Sequence, residues 1–139
     1  MKENNSLKFR AWWIEQEVMC DVDVIGFSEG AITVSNQNTT YQHLGLNEVE
    51  LMQSTGLIDV KGFEIFEEDM VKLTEKTING GIDTHTCKVF QSKSGAWRLE
   101  GHPDFSRKYT TKRELYSVRN RIEIIGNVWE NPELLEVAE

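Results

Sequence analysis

Residues 51–71, LMQSTGLIDVKGFEIFEEDMV, constrain the fold more than any other part of this chain. They hold the densest apolar patterning, a reversal signal and the main acidic cluster, and the segments on either side read as strands able to pair with them. Leading into them, residues 49–55 alternate loosely, with Val49, Leu51 and Gln53 on one side and Glu50, Met52 and Ser54 on the other. Beyond Gly56, the short apolar runs around Leu57 and Phe63 are separated by a group ending in Lys61-Gly62, which predicts a tight turn over residues 59–62, since Gly takes positive φ without a Cβ clash. Glu67, Glu68 and Asp69 read as a solvated bend, and Met70, Val71 and Leu73 as the start of the next strand.

The rest of the chain carries the same antiparallel pattern. Residues 7–13 alternate as a strand with one buried face, Leu7, Phe9 and Ala11 against Lys8, Arg10 and Trp12. Residues 18–27 are only partly alternating, with Cys20, Val22 and Val24 on one face, and Asp21, Asp23, Ile25 and Phe27 on the other. Ser28-Glu29-Gly30 turns this strand onto residues 31–34. Residues 36–47, NQNTTYQHLGLN, read as a long polar loop offering Tyr41 and His43 to a ligand; the plainer reading is an exposed loop with one aromatic tucked in. After a polar excursion over 74–81 ending in Asn79-Gly80-Gly81, residues 82–91 put His85, Cys87 and Val89 on one face. Ser92-Lys93-Ser94-Gly95 then closes a hairpin onto residues 96–100, whose Trp97 and Leu99 point inward.

Residues 101–109 are expected to be irregular because His102 precedes Pro103. Thr111-Lys112-Arg113-Glu114 matches a capping box for a helix of about two turns with Leu115 and Val118 on one face. A last strand follows over 122–129, and Asn131-Pro132-Glu133 predicts a helical turn over 132–137.

Several blocks together resemble the YopX family of phage and prophage proteins: KFRAW from Lys8 to Trp12, EVELMQSTGL from Glu48 to Leu57, EIF and DMV between Glu64 and Val71, and IEIIGNVWENPELL from Ile122 to Leu135. The blocks keep the family's order and reach nearly end to end. Two positions depart from the pattern: Trp13 stands where the family usually has Asp, and Glu68 where it usually has Gly, in a turn that asks for positive φ. The resemblance implies a small β-rich protein whose C-terminal part is a barrel of the Src-homology-3 type, and it implies no established activity.

With 139 residues, 39% of them hydrophobic, the chain is the size of one domain or two small β subdomains. No run of eighteen apolar residues and no basic-then-apolar leader occurs, so a cytoplasmic protein in a bacterial host, without a membrane partner, is expected. Cys20 and Cys87 then read as packed thiols. A net charge of −8 excludes indiscriminate coating of nucleic acid. The charge is nonetheless uneven. Within 107–121, Arg107, Lys108, Lys112, Arg113, Arg119 and Arg121 face the single acid Glu114, so that window is +5 and the remainder −13.

That window, with Tyr109 and Tyr116 able to stack on a base, is the expected ligand-binding site: Arg107, Lys108, Tyr109, Lys112, Arg113, Tyr116, Arg119 and Arg121. The plainer reading is a surface segment paired with the chain's own acids. Glu64, Glu67, Glu68 and Asp69 have the types for a cation or acid/base site but no second motif at defined spacing. His85 and Cys87 form half a zinc site at most, and no CxxC, HExxH, GxGxxG or GxxxxGK accompanies them, so neither a metal nor a cofactor is expected.

The expectation is therefore a mainly β chain, with an antiparallel N-terminal sheet over 1–51 packed on a small Src-homology-3-like barrel over 52–139 and short helices near the C-terminus. Its leading function is a non-enzymatic accessory protein that acts by binding, as a homo-oligomer and with a host protein as a further partner. A binder of an anionic ligand, nucleotide or nucleic acid through 107–121 is the alternative. A metal-dependent enzyme using the acidic cluster is the third.

Overall fold

A computed structural model describes residues 8–37, 42–101 and 113–138. The chain divides into two compact units, Met1–Ser54 and Thr55–Glu139. It is mainly β, with six strands in one antiparallel sheet and five in another among the described residues. Both sheets are open among the described residues, so a closed barrel is not what the strand pairing forms.

The first unit comprises β1 (Phe9–Trp13), β2 (Val18–Gly26), β3 (Ala31–Ser35), β4 (Gln42–Gly45) and the first half of β5 (Val49–Ile58). Register explains its core. Ala11 lies opposite both Cys20 and Leu51, Val22 opposite Val34, and Ile25 opposite Ile32, which in turn faces Leu44. These side chains share one face and pack together. The pairing slips between Val22 and Val24, so one extra residue flips the phase of β2. Ile25 consequently packs inward while Val24 is exposed, reversing the faces that strict alternation implies. Nor is β1 buried on one face only: Ala11 and Trp12 are both buried, although consecutive strand residues point to opposite faces. Residues 42–45, read from sequence as loop, form edge strand β4, because Leu44 and Leu46 supply apolar cover for the core.

In the second unit β6 (Glu64–Phe66) follows the end of β5, and β7 (Asp69–Lys76), β8 (Ile82–Gln91), β9 (Trp97–Glu100) and β10 (Arg113–Glu114) form a meander. β11 (Ile122–Asn127) returns to the other side of β7, and α1 (Glu133–Ala138) ends the described chain. Val71, Leu73, Cys87, Val89, Leu99 and Ile122 form the inward face, closed by Ile65, Leu115 and Val118. Residues 74–76 continue β7 instead of starting a polar excursion, pairing with residues 82–84. Likewise, Arg113 and Glu114 pair with Leu99 and Arg98 in place of opening a helix. The helical turn begins later, as a 3₁₀ segment over Tyr116–Arg121. Leu115 and Val118 still turn inward together, as three-residue periodicity requires. No helix among the described residues is long and apolar enough to cross a membrane.

Two carboxylates hold the turns. Asp59 is buried, and its Oδ1 accepts from the N–H groups of Lys61 and Phe63, both at 2.9 Å. Its Oδ2 accepts from the Ile124 N–H at 3.0 Å, tying the turn to β11. Burial pushes this carboxyl up, but the backbone donors of Ile124, Phe63, Lys61 and Gly62 outweigh it and hold the group below its ordinary value. Gly62, at φ 89°, gives the left-handed backbone that the turn needs. Asp69, expected in a solvated bend, is buried instead, with Oδ2 accepting from the Phe66 N–H at 2.8 Å. Beside it Glu68 adopts φ 72°, the conformation a glycine would take freely. It persists because its N–H donates to the Val89 carbonyl and its carbonyl accepts from Val128 N–H, at 2.9 and 3.0 Å.

Replacing Glu68→Gly removes about 1–2 kcal/mol of left-handed strain and adds about 0.5–1 kcal/mol of unfolded-state entropy, so urea unfolding should show a net gain of up to roughly 1.5 kcal/mol. Asp59→Asn, which places an amide against backbone donors, should lower stability by about 1–3 kcal/mol. Since the folded carboxyl titrates below the unfolded one, the Asp59 contribution is present above the ordinary carboxylate range and is lost as pH falls through the lowered folded value. Unfolding curves across acid pH should therefore fall more steeply for the wild type than for D59N.

Candidate functional site

Of the expected basic site, Arg107, Lys108, Tyr109 and Lys112 lie outside the described residues, and Arg113 contributes the backbone of β10. Tyr116, Arg119 and Arg121 occupy the 3₁₀ turn. Residues three apart eclipse in such a turn, which brings Arg119 over Tyr116. The guanidinium carbon stands 3.8 Å from the ring centroid, and Nη1 donates to the Tyr116 carbonyl at 2.6 Å. Tyr116 is 56% exposed, so this stacked pair sits on the surface. Arg121 turns elsewhere, its Nη1 lying 3.8 Å from Oε2 of Glu75. Both of these arginines thus have partners within the molecule, and they are not gathered on one ligand.

A cleft of about 460 Å3 opens beside Arg121. Val60 and Ile82 give it apolar lips, Lys72, Thr74 and Lys76 project from the outer face of β7, and Glu75 and Glu123 supply negative charge. Register builds this surface: Glu123 lies opposite Lys72, and Ile82 opposite Lys76. Glu123 bridges two lysines, with Oε2 2.9 Å from Lys61 Nζ and Oε1 3.4 Å from Lys72 Nζ. The Lys61 hydrogen bond and charge, with lesser help from Lys72, hold the Glu123 carboxyl below its usual value, and the same bond raises the Lys61 ammonium. Glu75, largely shielded, lies between Arg121 and His85, whose Nε2 is 4.0 Å from Oε1. Such a surface suits a ligand carrying both polar and apolar groups.

Sequence reasoning missed the cleft, because its members come from residues 60 to 123 and only strand register joins them. The one available signal was the alternation of Lys72, Thr74 and Lys76 along a single strand face.

The other sequence candidates separate. Asp69 is committed to the Phe66 backbone, and among the described residues no group of three or more His, Cys, Asp or Glu side chains could hold a metal ion. Cys87 is fully buried in the core while its neighbour His85 faces Glu75. Cys20 is also buried and its thiol is pushed up by burial, as befits a packing residue. His43 shares a 2.9 Å hydrogen bond with Thr33 Oγ1, and Tyr41 lies outside the described residues.

Removal of the bridging carboxylate in Glu123→Gln should bring the Lys61 ammonium back down towards its ordinary pKa, read by NMR titration of its side chain, without disturbing the fold.

No curated protein matches the chain. Among solved structures it is similar to the crystal structure of protein EF1440 from Enterococcus faecalis, at a TM-score of 0.58 and 25% identity, over 95% of this chain and 99% of that one. The family described as YopX protein matches residues 8–136, nearly the whole length, and the blocks around β1, β5, β7 and β11 lie within that span. The chain belongs to the YopX family.

Proposed function

We propose that this chain is a non-catalytic accessory protein of the phage and prophage type, acting in the bacterial cytoplasm by binding protein surfaces, both its own copies and a host protein. The observation that carries this reading is the apolar surface of the second unit. Ile58, Val60 and Phe63 are exposed around a single turn, and Ile78 and Ile82 are exposed on the β7–β8 hairpin. Val60 and Ile82, from these two places, both line the cleft. Apolar side chains rimmed by lysines and glutamates are typical of protein contact sites. A Src-homology-3-like strand order in this unit, open and not closed into a barrel, is supported by its four-strand meander, with β11 returning to the free side of β7 after a 3₁₀ turn.

Light scattering on the purified chain tests the reading. A concentration-dependent mass above that of one chain is expected, and Phe63→Asp, at an exposed position, should shift the protein towards monomer while leaving its melting temperature nearly unchanged. A monomer at every concentration would sink self-association.

A second reading, an anionic ligand or nucleotide held by the 107–121 window, is favoured by the stack of Arg119 on the exposed Tyr116 ring, which offers a flat cationic platform. Combined charge reversal at Arg113 and Arg119 should abolish binding of a fluorescent nucleotide; an unchanged curve removes this reading.

A further inference from the structure

The side of β7 that faces β11 is covered for only part of its length. β8 pairs with residues 70–76, whereas β11 reaches only from Asp69 to Leu73, opposite Ile122. Among the described residues, then, residues 74–76 have a strand on one side alone. Which backbone groups this leaves at the edge follows from hydrogen bonds on the far side of β11. The Ile122 carbonyl accepts from the Val60 N–H at 3.0 Å, and the Ile124 N–H donates to Asp59, so both residues turn their backbone away from β7. Glu123 between them turns towards β7, opposite Lys72. Backbone direction alternates along a strand, so Thr74 and Lys76 aim their N–H and C=O groups the same way as Lys72. There the chain leading into β11 is already the 3₁₀ turn, and the cleft lies against this edge, lined by Thr74, Lys76, Val60, Ile82 and Arg121.

We propose that the cleft receives an extended peptide segment of a partner protein, which adds as a strand along Thr74 and Lys76 in line with β11. This rests on the binding reading above and names its ligand. Charge decides the chemistry of the segment. Lys72 meets Glu123 at 3.4 Å and Arg121 meets Glu75 at 3.8 Å, while Lys76 forms no ion pair among the described residues. The segment therefore presents an acidic side chain to Lys76, and its alternate positions place an apolar side chain between Val60 and Ile82. Backbone hydrogen bonds supply affinity and the side-chain contacts supply selectivity, the division of labour seen whenever a strand is added to a sheet. Among the described residues no aromatic side chain lines the cleft, so the bases of a nucleic acid find nothing there to stack on.

The test uses the full chain and a fluorescein-labelled eight-residue peptide that alternates valine with threonine and carries one central glutamate. Fluorescence anisotropy should show saturable binding. N-methylation of peptide nitrogens of one parity should weaken it about tenfold, since each methyl removes an edge hydrogen bond, while the other parity is tolerated. Lys76→Glu should weaken it about tenfold, and Lys93→Glu, on the exposed turn between β8 and β9, should not. Binding indifferent to parity or to K76E overturns the proposal, as does the lack of any anisotropy change at millimolar peptide. If K76E instead dissolves oligomers seen by light scattering, a second copy occupies the edge and the partner assignment fails. A chain that self-associates but ignores the peptide loses only strand addition; a monomeric chain that binds it with the expected parity loses only self-association.

Discussion

The Asp59 carboxylate joins parts of the second unit that are 65 residues apart in sequence. One oxygen closes its own turn and the other holds the N–H of Ile124, while the neighbouring Val60 N–H reaches the Ile122 carbonyl. The turn is thereby laid along the side of β11 that faces away from β7. A buried carboxylate short of donors would cost several kcal/mol, on the order of a large part of a small domain's stability. With donors on both oxygens it becomes a clamp. Its position also sets the site, because it places Val60 at the cleft and Lys61 within reach of Glu123.

The clamp's geometry depends on β11 keeping its register, and here the backbone departs from simple alternation. β11 slips against β7 between Ile124 and Gly126, as β2 slips against β3 between Val22 and Val24. Each slip changes which side chains face the core. Ile125 is left outside and Asn127 is buried, where its Oδ1 accepts from the N–H groups of Trp129 and Glu130. Residues 18–27 looked only partly alternating for the same cause: two alternating runs of opposite phase meet at an extra residue. The irregularity was visible in the residues. Its interpretation needed the partner strand.

Charge shows the same division. The excess of cations over 107–121 is a property of local sequence, yet Arg121 spends its charge on Glu75 and Arg119 lies on Tyr116. The mixed surface at the cleft arises instead from residues that no sequence window contains together. Lys61, Lys72 and Glu123 meet because a turn and two strands are aligned, and Lys76 is distinctive because no acid is aligned with it among the described residues.

The residues alone determined the β class of this chain, the hairpin over 82–100, the turn over 59–62 and the inward faces of Cys87, Val89 and Leu99, because period-two patterning and turn chemistry are local and act on neighbouring residues. They also carried the family blocks. Tertiary structure alone decided that Asp59 and Asp69 are buried, that residues 42–45 become an edge strand, that Glu68 is held at positive φ, and that the cleft forms where β11 stops short of residues 74–76. Each of these depends on which strand lies alongside and where it ends. Hydrogen bonds between strands act over a few ångströms in space but over tens of residues in sequence, so register is settled only when the partners meet.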